Sequence, residues 1–136
     1  GVRWYEIRRV GTTFSIFQQG TYSPNDTVNR WMGSIAEDKH GDMGLGFAVS
    51  NKTTVFPGIR YTGRKVTDPL GMMTLAEGVI KAGSGSQTGI ERWGDYSSMN
   101  IDPVDDCTFW YVHEYFQTTS SFGWQTRVGN FKIPGC

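Results

Sequence analysis

The sequence predicts an all-β protein made of repeated, four-stranded antiparallel sheets, and three observations carry that expectation. The chain repeats itself. Arg30-Trp31, Ser34-Ile35-Ala36-Glu37-Asp38, His40-Gly41-Asp42 and Leu45-Gly46-Phe47-Ala48-Val49 return as Arg92-Trp93, Ser98-Met99-Asn100-Ile101-Asp102, Val104-Asp105-Asp106 and Phe109-Trp110-Tyr111-Val112-His113. A further element recurs three times, as Val2-Arg3-Trp4, Ile59-Arg60-Tyr61 and Thr126-Arg127-Val128. Internal periods of this size mean stacked supersecondary units. Composition agrees, because 18 glycines, 14% aromatic residues and only 19% charged residues suit short strands joined by tight turns.

Each unit reads as four strands. The first strand is expected over 34–37 and 98–102, and the second over 45–49 and 109–116. The third is expected over 2–7, 59–64 and 124–131, and the fourth over 14–18 and 73–77. All are rich in β-branched or aromatic residues and bounded by Gly, Pro, Asn or Asp. The turns at 38–42 and 102–106 carry Asp and Gly, which satisfy backbone groups or accept left-handed φ. The last unit lacks its own fourth strand. Residues 20–29 and 78–90 read as flexible connections. The Gly83-Ser84-Gly85-Ser86 run is a linker, since it lacks the lysine and strand–loop–helix setting of a phosphate-binding loop.

The second strand explains why such sheets stack. In the first copy Leu45, Phe47 and Val49 share one face, and Gly44, Gly46, Ala48 and Ser50 the other. In the second copy Phe109, Tyr111 and His113 share a face opposite Thr108, Trp110, Val112 and Glu114. Strands apolar on both faces are buried on both sides, and the small face of one copy leaves room for bulky side chains of a neighbour. That is the packing logic of a β-propeller. The chain is expected to be a single partial propeller of about two and a third blades. Residues 1–20 end a preceding blade, 28–80 form a complete blade, and 90–136 form a last blade without its outer strand.

Thirteen basic and thirteen acidic residues leave a formal charge of zero, which gives nucleic acid no basic stripe to bind. No apolar run approaches the roughly 20 residues needed to span a bilayer. The strand-like start at Gly1, with no leader, reads as a processed or excised piece of a longer chain. The two cysteines are placed for a bridge. Cys107 opens the second strand of the last unit, Cys136 follows its third, and antiparallel neighbours bring such ends together. A disulfide implies an oxidising setting, extracellular or periplasmic.

The order Ser34-Ile35-Ala36-Glu37-Asp38, Gly41-Asp42, an apolar strand, Ile59-Arg60-Tyr61 and Thr67-Asp68-Pro69-Leu70-Gly71 resembles sialidase-type β-propellers with BNR (Asp-box) repeats. Asp68 keeps the family's aspartate, while Gly71 falls one place late and Met73 replaces the aromatic. The run Arg92-Trp93-Gly94-Asp95-Tyr96-Ser97-Ser98 and the ending Ile133-Pro134-Gly135-Cys136 resemble the C-terminal part of large bacterial secreted proteins. The resemblance implies a six- to eight-bladed propeller, found in glycosidases, glycan-binding modules and surface proteins.

Sialidase-type sites hold a carboxylate with several arginines and use an Asp acid/base and a Tyr nucleophile. Carried over, the resemblance makes Arg30 and Arg92 ligand-binding, Asp95 the acid/base and Tyr96 the nucleophile. The set lacks a third arginine and a Glu beside the tyrosine. Trp4, Tyr22, Tyr61, Trp93 and Trp124 are candidates to stack on a sugar, with Trp31 a further ligand-binding candidate beside Arg30. The competing expectation is that Arg92 pairs locally with Asp95 and Trp93 packs between blades. No metal or cofactor is expected. His40 and His113 are too few for zinc, and Asp38, Asp42, Asp102, Asp105 and Asp106 are better suited to capping turns than to binding calcium. The expectation is a non-catalytic extracellular scaffold module that packs with the remaining blades of a parent chain or with other copies, and contacts carbohydrate. The alternative is a fragment of a sialidase-like glycoside hydrolase.

Overall fold

The computed structural model describes residues 1–136 and contains nine strands and no helix. β1 (Val2–Val10) and β2 (Thr13–Tyr22) form a hairpin. β3 (Asn29–Glu37), β4 (Met43–Ser50), β5 (Gly58–Arg64) and β6 (Gly78–Lys81) form a four-stranded sheet in chain order. β7 (Ser98–Ile101), β8 (Phe109–Phe116) and β9 (Trp124–Phe131) form a three-stranded sheet. Every ladder pairing is antiparallel, so the chain is all-β with meandering sheets of two, four and three strands. None of the sheets closes.

The three sheets lie face to face, with the four-stranded one in the middle. β3 lies on β7 and β4 on β8, like strand on like, while β5 also lies on β8 and β6 lies on β9, one strand out of step. Like turn also meets like turn. The amide of Lys39 donates to the Asp106 carbonyl at 3.0 Å, and Lys39 Nζ donates to the Asp105 carbonyl at 2.9 Å. β3 and β7 are tied by the Met99 amide, which donates to Ser34 Oγ at 2.9 Å, and by Ser97 Oγ, which donates to the Met32 carbonyl at 2.8 Å.

β4 is buried on both faces for the reason its sequence suggests. Leu45, Phe47 and Val49 join Met43 and the hairpin residues Val2 and Trp4 in one core. The small face receives the other sheet. A methyl group on Gly44 would lie 2.6 Å from the Phe109 ring, and one on Gly46 would lie 2.5 Å from Tyr111. Glycine is required at both places because carbon atoms in contact sit about 3.5–4.0 Å apart. Ile59, Met99, Phe109, Tyr111, Tyr115, Phe131 and Ile133 complete this second core, where Phe131 stacks on Tyr61 with ring centres 3.7 Å apart.

Several details differ from expectation. The fourth strand of the complete sheet is β6 at Gly78–Lys81, not 73–77. β6 pairs with only the first part of β5, while the Leu75 amide and carbonyl bond Gly63 and Thr62 instead. The first strand begins at Asn29, because β3 crosses a bulge at Met32-Gly33, with Met32 at φ 50°, and stays paired on both sides. In the second copy the four residues Gly94–Ser97 stand where the first copy has two, Met32 and Gly33, and Arg92-Trp93 leave the sheet. The β7–β8 pairing also slips. Ile35 pairs with Leu45, whereas its counterpart Met99 pairs with Tyr111 because the turn at 102–108 is longer than that at 38–42. The slip is two residues, a full pleat, so every side chain keeps its face.

Cys107 and Cys136 are bonded, with Cα atoms 5.7 Å apart. The bridge holds the C-terminal tail beside β8, with Ile133 buried under the middle sheet. His40 stands near both sulfurs, but bonded sulfurs offer no thiolate to a metal.

Candidate functional site

Where the upper ends of β3 and β4 face the segment leading into β7, the stacked sheets leave an open cleft of about 420 Å³. Trp31 comes from β3 and Ser50 from the end of β4. Asn51 and Pro57 come from the β4–β5 connection, and Ser86, Gln87, Glu91, Arg92 and Trp93 from the β6–β7 connection. The bulge at Met32-Gly33 positions Trp31, and the two extra residues within Gly94–Ser97 let Trp93 reach it. The two indoles meet edge to face, with centres 5.4 Å apart and planes at 76°. Trp93 is anchored behind by the rings of His113 and Phe116.

The Gly83–Ser86 run, which reads as a linker, forms a wall. The Ser84 and Gly85 amides both donate to the Phe116 carbonyl, Ser84 Oγ to the Gln117 carbonyl, and the Ser86 amide to Thr119 Oγ1. A side chain at Gly85 would strike the Thr118 backbone at 2.3 Å. Glycine serves here for close approach.

The four residues expected to bind ligand have different fates. Trp31, Arg92 and Trp93 come together at the cleft. Arg30 is buried beneath the sheet, where Nε donates to Glu77 Oε1 at 2.6 Å and the two terminal nitrogens grip Asp26 at 2.9 and 2.8 Å. Glu77 also accepts from Arg60 at 3.0 Å and from the Tyr22 hydroxyl at 3.0 Å. Burial raises the Glu77 pKa, but the two guanidinium groups outweigh it and leave the carboxyl below its ordinary range. Burial and Glu77 together push the Tyr22 phenol up to about 12. Nothing in the sequence marks Glu77 as this hub, because its partners are far along the chain.

Arg92 holds Asp95 with two bonds of 2.6 and 2.5 Å, and also donates to the Trp93 carbonyl at 2.7 Å. Arg92 keeps the Asp95 carboxyl below its ordinary range, which favours the ionised form, whereas a general acid needs a raised one. Tyr96 is 88% exposed and lies outside the cleft. Asp95 and Tyr96 are therefore not brought together with a free arginine. Among the other sugar-stacking candidates, Trp4 is buried in the first core, while Tyr22 and Tyr61 pack against the two cores.

The turn aspartates cap backbone amides, each in its own turn except Asp42, which reaches the turn after β5. Asp38 Oδ1 accepts from the His40 and Asp42 amides, Asp42 Oδ1 from Val66, Asp102 Oδ1 from Val104, and Asp105 Oδ1 from Cys107 and Thr108. His113 is buried between Trp93 and Tyr111, and its Nδ1 accepts from the Glu114 amide. Burial pushes its pKa down to about 4, with the Met32 backbone pulling weakly the other way.

No family model, curated protein or solved structure matches the chain. No helix is long and apolar enough to cross a membrane.

Proposed function

We propose that this chain is a non-catalytic scaffold module, extracellular or periplasmic, which contributes consecutive sheets to a larger sialidase-like β-propeller and contacts carbohydrate at the Trp31–Trp93 cleft. The observation that carries the scaffold reading is the face-to-face stacking of β3 on β7 and β4 on β8, with two- and three-stranded sheets flanking the complete one. The outer surface of the stack looks unfinished. Beyond the bulge at Glu6/Ile7 the hairpin exposes Ile7, Val10, Phe14 and Ile16, with Val10 80% exposed. Exposed apolar strands with free edges are surfaces for further sheets, from the parent chain or from other copies. The disulfide supports the extracytoplasmic setting.

Sedimentation of the isolated chain tests the scaffold reading. Self-association above the 15.2 kDa monomer is expected, and a Val10→Lys, Phe14→Lys double variant returns it to monomer. A wild-type chain that stays monomeric at every concentration, with no apolar dye bound to the hairpin, contradicts it. The cleft's paired indoles and polar rim favour a sugar contact, since aromatic planes and hydrogen-bonding side chains are what a saccharide presents itself to.

A further inference from the structure

We infer that the Trp31–Trp93 cleft accepts uncharged saccharides and rejects acidic ones, with Glu91 as the acceptor for sugar hydroxyls. The inference rests on the glycan-contact reading of this cleft and names its ligand class. It follows from which polar groups on the cleft wall are already occupied. The Arg92 guanidinium is bound to Asp95 and the Trp93 carbonyl. Asn51 Oδ1 accepts from the amides of Thr53, Thr54 and Val55, and its Nδ2 donates to Thr27 and Thr54. Gln87 Nε2 donates to the carbonyls of Arg92 and Ser121. Arg30, the other arginine of the repeat, is buried against Asp26 and Glu77 and lines no part of the cleft.

What remains is the carboxylate of Glu91, the only charged group left over, with Gln87 Oε1, the Trp31 indole N–H and the hydroxyls of Ser50 and Ser86. Glu91 is exposed and enters none of the chain's ion pairs. Because Asp95 offsets Arg92, the cleft carries a net negative charge. Two carboxylate oxygens accept well from neighbouring hydroxyls of a sugar, and a charged acceptor makes a stronger bond than a neutral one. A ligand carboxylate must compete with Asp95 for Arg92 and faces the like charge of Glu91. The edge-to-face indoles add an apolar corner for the C–H face of a sugar ring. The selectivity is thus opposite to that of an arginine-lined acidic-sugar site.

The test titrates the wild-type chain with neutral trisaccharides of glucose, galactose and mannose, each paired with the trisaccharide of its uronic acid. The indole N–H signals of Trp31 and Trp93 report binding in a proton–nitrogen NMR spectrum. At least one neutral sugar is expected to shift both signals to saturation, with its uronate at least tenfold weaker. Glu91→Gln is expected to narrow that gap at least fivefold while the fold, read from the remaining spectrum, is unchanged. A uronate that binds as tightly as its neutral partner, or a gap that Glu91→Gln leaves intact, overturns this inference and leaves the glycan reading standing. Absence of shifts with all six sugars overturns both.

Discussion

Replacing Gly46 by alanine tests the interlocking of the two larger sheets. A methyl group there would meet three atoms of the Tyr111 ring at 2.5, 2.6 and 2.6 Å. Ordinary carbon contacts sit at about 3.5–4.0 Å, so the ring must move by about 1 Å. It has little freedom to do so. Tyr111 is fully buried, its hydroxyl lies 3.3 Å from the Met32 carbonyl, and His113 meets it edge to face. Overpacking of this kind costs about 1–3 kcal/mol. Removing a strand glycine returns about 0.5–1 kcal/mol. The net expectation is a loss of about 1–2 kcal/mol, read as a lower midpoint in urea with an unchanged slope. In a Tyr111→Leu background the penalty should fall by at least about 1 kcal/mol, since the cycle isolates the contact. If Gly46→Ala is neutral or stabilising, or costs the same in both backgrounds, the sheets do not interlock here.

Reducing the Cys107–Cys136 bridge should cost about 3 kcal/mol, measured by thermal unfolding with and without a phosphine reductant. Arg30→Met should cost about 2 kcal/mol, because it leaves half-buried Glu77 with only Arg60 and the Tyr22 hydroxyl; calorimetry reads the change. Arg92→Ala, by contrast, removes only an exposed pair and should leave the melting temperature unchanged. Stability should also fall with acid on account of His113. Its folded pKa of about 4 lies below the 6.5 of the open chain, so between those values the unfolded state holds more protons. The contribution, about 3 kcal/mol, is complete above pH 6.5 and is lost as pH falls towards 4. Urea midpoints measured across this window for wild type and His113→Gln check it, and parallel curves would contradict the assignment.

Much of the fold was legible because β structure writes itself locally. The alternation through Leu45–Val49 and Phe109–His113 fixes which side chains share a face, and the glycines opposite Tyr111 foretell the fit. The strand at Gly78–Lys81 was not legible. It holds only four residues, and its position depends on where Leu75 anchors to Thr62 and Gly63. The glycines of 83–86 misled for a related reason, since close approach to Thr118 and Pro57 cannot be told from flexibility in the sequence. At the cleft, the tryptophans were legible from the repeat. The repeat also paired Arg30 with Arg92, yet a bulge in one copy and an insertion in the other send them to different surroundings. Glu91, beside Arg92 in the chain, carries no signal until Asp95 is seen to neutralise its neighbour.

The claim on which all else depends is that β3 and β4 lie on their counterparts β7 and β8. Nuclear Overhauser contacts in solution measure this directly. Cross-peaks are expected between the Gly46 α-protons and the Tyr111 ring, and between the Ser34 β-protons and the Met99 amide. Intact ladders within each sheet but no contact at either pair would show that the sheets form without stacking in this order.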